Sequence, residues 1–502
     1  MEPYLHAASS LLSANVFVFL ALGTVVGMML SSIPGLGPSV TIALLLPMTF
    51  GLQPLQALVF LTSLYQASEY GGSITAITAA TPGTSNAAAL VLDGYEMFRR
   101  GRPQKALGYS LWSAAGSSLI ATVALLLIAS PISHLALSIG TVQLASLELF
   151  ALTLVASLMQ GSTLKGMLSV GLGLLLSTVG TDVLSGAPRF TFGVPQLLNG
   201  IPLVPLLLGL FAVSEAVRLL TRDQAVRRVP MTRQRLVWLS FTEWWRTVPI
   251  VLFGTVIGFF LGLLPGLAGT VPPWISYSAA KSASRGREKF GEGATAGIVA
   301  PEATNGAVMH ATLVPAFFLG IPGTPSSALI LGAMTIVGLT PGPLVYAHHQ
   351  SLILAVFEAL IISVALLWIV GTLVTSAWAN VIGKLNQKAL GTAILLLAVV
   401  GAYASNGQMF GVYVALIAGV ASVVFRATGF SIPALVIAFV IGPGFENNFR
   451  TALTYSHGSY LVFFTNPVSA AFLGLAVASV AFSVWQSRRQ RRSRSGTAVP
   501  VA

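Results

Sequence analysis

Two Pro-Gly clusters recur at matching places along this sequence of 502 residues, and each carries the groups an anion would need. The first is Ile33-Pro34-Gly35-Leu36-Gly37, followed by Thr81-Pro82-Gly83-Thr84-Ser85. The second is Leu264-Pro265-Gly266-Leu267-Ala268-Gly269-Thr270, followed by Ile321-Pro322-Gly323-Thr324-Pro325-Ser326. Proline and glycine break helices. A helix restarting after Pro82-Gly83 or Pro322-Gly323 is expected to aim free N–H groups, and roughly half a positive charge, at whatever sits there. The hydroxyls of Thr84, Ser85, Thr324 and Ser326 stand alongside. The run Tyr65–Thr75 adds Gly71, Gly72 and Ser73, where glycine lets a helix unwind, and Pro301–Ala307 adds Asn305. These residues form the expected substrate site. The unwound carbonyls around Pro34, Gly35, Gly37, Gly266, Gly269 and Thr270 are expected to hold a coupling cation, Na⁺ or H⁺. Glu69 and Glu302 adjoin the broken regions and join that set.

Seen once, a Pro-Gly pair is a loop turn, and Gly, Ser and Thr allow close helix packing. Repetition, with hydroxyls at matching places, favours a site. Four further carboxylates lie in or near apolar segments: Glu148, Glu215, Glu358 and Glu446. A structural role is the expectation for Glu215 and Glu446, and packing or a loop position for the lone His134 and His310. No G-x-x-x-x-G-K-[ST] run occurs, so no bound nucleotide is expected to supply energy. No Ser-His-Asp order and no metal-ligand cluster stands out, so no catalytic residue is assigned. No cofactor is expected beyond the coupling ion.

The elements that must position these residues are membrane helices. The chain is 55% hydrophobic and only 8% charged, where soluble chains carry about 25% charged residues. Its mean hydropathy is +0.84. Apolar runs near 20 residues suit bilayer-spanning helices. The net charge of +12 lies in short loops, where basic residues orient a membrane protein, so no nucleic-acid partner is implied. Cysteine is absent, which excludes disulfides and thiol chemistry. The first residues lack the basic start of a secretory signal, so Leu11–Leu30 is expected to be a retained helix.

Pro34 and Pro265 differ by 265 − 34 = 231, as do Glu215 and Glu446, whereas Pro82 and Pro322 differ by 240. The expected organisation is a first membrane repeat over 1–220 and a basic cytoplasmic linker at 221–241. A second repeat follows over 242–460, then a last helix at 461–486 and a basic cytoplasmic tail at 487–502. The basic loop Lys281–Lys289 matches a bare loop at Phe50–Pro54, and the basic loop Arg99–Lys105 matches a bare one at Thr340–Pro343. Where one half is basic the other is bare, which implies repeats of inverted topology. The fold class expected is an all-α polytopic membrane protein of about 11–15 segments with broken or re-entrant helices. Its N-terminus would be outside and its C-terminus inside. Paired broken segments in two halves point to a transporter's substrate site. An ion channel, or a membrane scaffold or enzyme, are the competing classes.

At these motifs the chain resembles the large membrane subunit of the tripartite tricarboxylate transporters. The resemblance runs from about Gly27 to Ala470. It is carried by Ile33–Gly37, Tyr70–Ser73, Thr81–Thr84, Asp93-Gly94-Tyr95, Leu264–Gly266, Phe290-Gly291-Glu292-Gly293, Pro301–Asn305, Gly320–Gly323 and Gly338–Pro343. It implies ion-driven symport of a carboxylate across the bacterial inner membrane. A periplasmic solute-binding protein would deliver the substrate and a small membrane subunit would complete the complex. Two departures lie at the expected site. Glu69 stands where the family has a small residue, and Asn305-Gly306 where it often has two asparagines. The carboxylate therefore stays open between citrate-like tricarboxylates, dicarboxylates and aromatic acids.

Overall fold

The computed structural model describes residues 2–11, 13–158, 163–221, 237–382 and 384–495. The basic residues Arg222, Arg227, Arg228, Arg233 and Arg235 of the expected linker lie outside the described residues. The chain is an all-α polytopic membrane protein. After a short helix at Glu2–Leu11 come α1 (Ala14–Ser31), α2 (Pro38–Leu45), α3 (Pro54–Ala79), α4 (Pro103–Ser138), α5 (Thr141–Leu158), α6 (Thr163–Ser177) and α7 (Leu203–Thr221). The second half holds α8 (Phe241–Gly262), α9 (Val271–Ala283), α10 (Thr295–Leu319), α11 (Pro325–Ile336) and α12 (Pro343–Ile382). It closes with α13 (Gln387–Asn406), α14 (Met409–Ala427), α15 (Ile432–Tyr455) and α16 (Pro467–Ser495). Among the described residues nine helices are long and apolar enough to cross a bilayer, and four apolar helices are shorter.

Glycines set the helix packing, because without a Cβ two backbones can touch. On α1, Gly23 lies against the Phe60 carbonyl of α3 and Gly27 against that of Leu64. On α8, Gly254 lies against the Ala300 carbonyl of α10 and Gly258 against that of Thr304. The glycines are 231 apart and the carbonyls 240 apart, the two offsets of the Pro-Gly clusters. The same helix pair is therefore built twice, in the same register.

The compact units cut across the two halves. One comprises residues 1–136 and 203–420, the other 137–202 and 421–502. In the second unit, α6 packs on α15 through Gly173, which meets the Leu435 carbonyl. A two-residue antiparallel ladder pairs Gly180–Thr181 with Pro188–Arg189. Beside it Arg189 binds Glu446 at 2.6 Å, and Arg450 binds both Asp182 and Glu446 at 2.9 Å. Glu446 is thus engaged in an ion-pair cluster. Glu148 accepts hydrogen bonds from Asn448. The first unit contains both Pro-Gly clusters and every expected site residue.

Candidate functional site

Each of α3 and α10 ends in a tip that folds back along its own helix. Helix α3 stops at Ala80, in the left-handed region at φ +52°. Eleven residues after Gly72, Gly83 donates its N–H back to the Gly72 carbonyl at 3.1 Å. A Cβ on Gly83 would stand 2.7 Å from Gly72 Cα and 2.7 Å from the Ser31 carbonyl oxygen. Helix α10 stops at Gly320, again left-handed at φ +71°. Here Gly323 faces Thr312, whose methyl would lie 3.2 Å from an added Cβ. Thr312 and Gly323 stand 240 residues after Gly72 and Gly83, so the two tips share one fold.

The helix starts differ from expectation. After Thr324, α11 does begin, but Pro325 has no N–H to offer and the N–H groups of Thr324 and Ser327 are already engaged. Thr324 Oγ1 accepts from Ser327 N–H, and Ser327 Oγ accepts from Thr324 N–H, a reciprocal cap. After Thr84 no α-helix begins. The chain forms a 3₁₀ turn at Asn86–Ala89 and a π turn at Val91–Tyr95. Thr84 Oγ1 accepts from Ala87 N–H there. The picture of two facing helix starts with free N–H groups is therefore corrected. So is the expected unwinding at Gly71–Gly72. Helix α3 runs unbroken through Gly71, Gly72 and Ser73, and α10 runs unbroken through Asn305. Gly71 serves close packing, since the Met28 carbonyl of α1 lies against it.

The remaining expected residues fall in two places. Pro82 and Ser85 are exposed at the first tip; Pro322 is buried at the second, where Ser326 Oγ meets Ser39 Oγ at 3.0 Å. The Pro-Gly loops between α1 and α2 and between α8 and α9 sit under the tips. Gly37 approaches the Gly83 carbonyl, and Gly266 donates its N–H to the Gly323 carbonyl at 3.3 Å. The Glu215–Arg218 ion pair packs against Gly35, beside half-buried Pro34. Gly269 faces open space, and Thr270 precedes α9.

Between the middles of α3 and α10 lies a small cavity with room for about one water. Gln66, Glu69 and Tyr70 line it from α3; Glu302, Asn305, Gly306, Met309 and His310 line it from α10. Three of these pairs are again 240 apart: Gln66 with Gly306, Glu69 with Met309, Tyr70 with His310. The cavity therefore lies where equivalent positions of the two halves meet. Its walls are polar and unsatisfied. Glu302 and His310 are 0% exposed, Asn305 1% and Gln66 3%. Among the described residues no hydrogen bond reaches either oxygen of Glu302, either amide atom of Gln66 or Asn305, or Nε2 of His310. Ser73 and Ser110 approach Glu302, and Asn305 approaches Glu69, without closing a bond. Glu69 accepts one long bond, 3.4 Å, from Asn86 Nδ2. Native proteins leave few buried polar groups unpaired, so a cluster of four side chains in this state, Gln66, Glu302, Asn305 and His310, marks a place built for something else.

Sequence reasoning singled out Glu69, Glu302 and Asn305 but not Gln66, and it set His310 aside. The available signal was spacing. Gln66 and Glu69 are i and i+3, and Asn305 follows Glu302 by three, so each pair shares a helix face. Asp93 also went unassigned. It is 0% exposed. Its Oδ1 accepts N–H bonds from Gly291, Gly293 and Ala294 at 2.7–2.9 Å, and its Oδ2 accepts from the Tyr277 hydroxyl at 2.8 Å. Ala294 is the N-cap of α10, so this carboxylate from the first half fixes the start of the helix that carries Glu302, Asn305 and His310.

Comparison with known proteins gives a consistent picture. The sequence signature of the tripartite tricarboxylate transporter TctA family matches residues 17–437. An uncharacterized 52.8 kDa protein of the TAR-I ttuC' 3' region of Agrobacterium vitis is 36% identical over 478 residues, covering 95% of this chain and 94% of the relative. An uncharacterized protein of the TAR-II ttuC' 3' region of the same organism is 33% identical over 237 residues, 47% of this chain and 98% of the relative. No solved structure matches the chain.

Proposed function

The chain belongs to the tripartite tricarboxylate transporter TctA family, a family of transporters and not of enzymes, and on that premise we propose that it carries a carboxylate into the bacterial cell, driven by an ion gradient. A small membrane subunit and a periplasmic solute-binding protein are its partners, and the binding protein delivers the substrate. The observation that carries this reading is the pair of folded-back tips, repeated 240 residues apart, on two helices whose middles enclose a polar cavity where equivalent positions of the two halves meet. Transporter sites lie at such repeat interfaces.

The substrate lies beside the tips, with Gly71, Gly72, Ser73, Pro82, Gly83, Thr84 and Ser85 on one side. Pro322, Gly323, Thr324 and Ser326 stand on the other, and Asn305, expected with them, lines the cavity between α3 and α10. The two repeats are inverted, with the N-terminus periplasmic and the C-terminus cytoplasmic. An energetic argument supports cation symport. At about 100 mV, inside negative, each net negative charge moving inward costs roughly 2.3 kcal/mol. A citrate-like trianion would cost about 7 kcal/mol before any concentration gradient, and co-transported cations offset that.

Reconstitution tests the reading. The chain and its small membrane subunit are placed in proteoliposomes, and the binding protein is added on one side with a labelled tri-, di- or aromatic carboxylate. Accumulation should require both the binding protein and a Na⁺ or H⁺ gradient. Flux that ignores the binding protein, or currents passed without any carboxylate, would overturn it. Reporters active only in the cytoplasm, fused after Arg235, Gly342 and Arg494, test the inversion: signal is expected at the first and last and silence at Gly342.

A further inference from the structure

We infer that the cavity between α3 and α10 is the seat of the coupling cation: a monovalent cation, Na⁺ or a proton, in the space lined by Glu69, Glu302, Gln66, Asn305 and His310. This inference deepens the transport reading and rests on it for the word coupling. The binding itself stands on the cavity.

The chemistry of the walls asks for a cation. The two carboxylates bring acceptor oxygens only. Gln66 and Asn305 each bring a carbonyl oxygen without a partner. The tautomer of His310 follows from its one bond. Its Nδ1 lies 2.7 Å from the Gly306 carbonyl, and a carbonyl only accepts, so Nδ1 carries the hydrogen and Nε2 offers a lone pair. That lone pair is buried and unpartnered. Neither Lys nor Arg is among the cavity's lining residues. Acceptors therefore outnumber donors in a buried space with no fixed positive charge. Charge left in such a space is costly unless neutralised.

Size and spacing narrow the occupant. The cavity has room for about one water, and a dehydrated Na⁺ is no larger. Among the described residues no three His, Asp or Glu side chains converge at metal-ligating spacing, so one ion here meets at most two of Glu69, Glu302 and His310, together with the amide oxygens of Gln66 and Asn305. A divalent ion, which takes several charged ligands at short range, is not what this cavity is made for. At the Pro-Gly loop, Gly35 is covered by the Glu215–Arg218 ion pair, in which the carboxylate is already compensated by the guanidinium. The titratable groups around Glu302 are Glu69 and Tyr70 from α3 and His310 from its own helix. Helix α4 presents Ser110 and Ser118 and α12 presents Leu367 to this space, whereas the α8 glycines Gly254 and Gly258 meet the other side of α10, at Ala300, Ala303, Thr304 and Ala307.

The test measures cation binding without transport. The full-length chain in lipid nanodiscs is melted in NaCl and in choline chloride at equal ionic strength, at pH 6 and at pH 8. If the cation is Na⁺, sodium raises the melting midpoint of the wild type by a few degrees more than choline does. Glu302→Gln and Asn305→Ala then remove that difference. If it is a proton, sodium and choline give the same midpoint, the midpoint falls between pH 6 and pH 8, and Glu302→Gln flattens that dependence. Glu358→Gln, a carboxylate of α12 outside the cavity, keeps the wild-type response in either case. Should Glu302→Gln fail to fold, Gln66→Ala replaces it with the same expectation of a weakened Na⁺ or pH response. A wild type with neither response, or a response equally strong in Glu302→Gln and Asn305→Ala, overturns the inference. Loss of carboxylate uptake in proteoliposomes while this cation response persists would fault the transport reading alone.

Discussion

The two tips are built from equivalent residues and end in opposite surroundings. Ala80, Gly83 and Thr84 of the first correspond to Gly320, Gly323 and Thr324 of the second, each 240 positions on. Yet Thr81 and Pro82 of the first are exposed, whereas Ile321 and Pro322 of the second are buried. The first tip runs into 3₁₀ and π turns; the second launches a capped α-helix. Thr324 also bonds across the halves, its Oγ1 lying 3.0 Å from the Tyr65 hydroxyl. One turn design thus serves one tip open at the surface and one clasped by the other half. What a Pro-Gly motif does depends on what covers it.

The largest expected contrast is between the two central glycines. At Gly83 an added Cβ meets backbone on both sides, so Gly83→Ala should destabilise the fold by about 1–3 kcal/mol. At Gly323 the neighbour is a threonine methyl that can shift, and Gly323→Ala should cost less than about 1.5 kcal/mol. Denaturation of the two purified variants decides this. Equal losses would mean the tips pack alike after all.

Next in size is the threonine pair, in the reverse order. Thr84→Val loses one cap, worth about 1 kcal/mol. Thr324→Val loses its cap and also one of the hydroxyls around the buried Tyr65 hydroxyl, which adds about 0.5–1.5 kcal/mol. The same unfolding measurement should rank Thr324→Val as clearly worse. If Thr84→Val proved the more damaging, the clasp between the halves would carry no weight.

The smallest effect concerns the residue that ends each helix. Both positions are left-handed, a conformation that glycine adopts freely and alanine does not. Ala80→Gly should stabilise by about 1 kcal/mol and Gly320→Ala should destabilise by about the same. A rise in melting midpoint for the first and a fall for the second would confirm that the two helix ends are equivalent. Two falls would separate them.

Much of this architecture was legible in the sequence because it rests on repetition and polarity. The offsets of 231 and 240, read from prolines and a glutamate, return as glycine contacts in two helix pairs. The carboxylates Glu69 and Glu302 stood out because charge is rare in apolar segments. What the sequence hid was the use of particular glycines and prolines. Gly71-Gly72 reads as a break, but the close approach of α1 and of the tip needs bare backbone on an intact helix. Pro301 opens a run expected to unwind, yet α10 continues through it and through Pro315. Neighbouring helices can support such interruptions in a membrane protein. His310 looked incidental since nothing local in the sequence brings it to face Gln66 and Glu69. That meeting is a product of α3 and α10 packing side by side.

The Asp93 clasp has a consequence for how the molecule is made. Its backbone partners at Gly291, Gly293 and Ala294 lie 198 to 201 residues downstream. Ribosomes add about 5–20 residues each second, so roughly 10–40 s pass between the synthesis of the carboxylate and that of its partners. Through that interval the Asp93 carboxylate is without these partners. The N-terminus of α10 is thus held by a carboxylate made well before it, and this bond between the halves forms only once the second half exists.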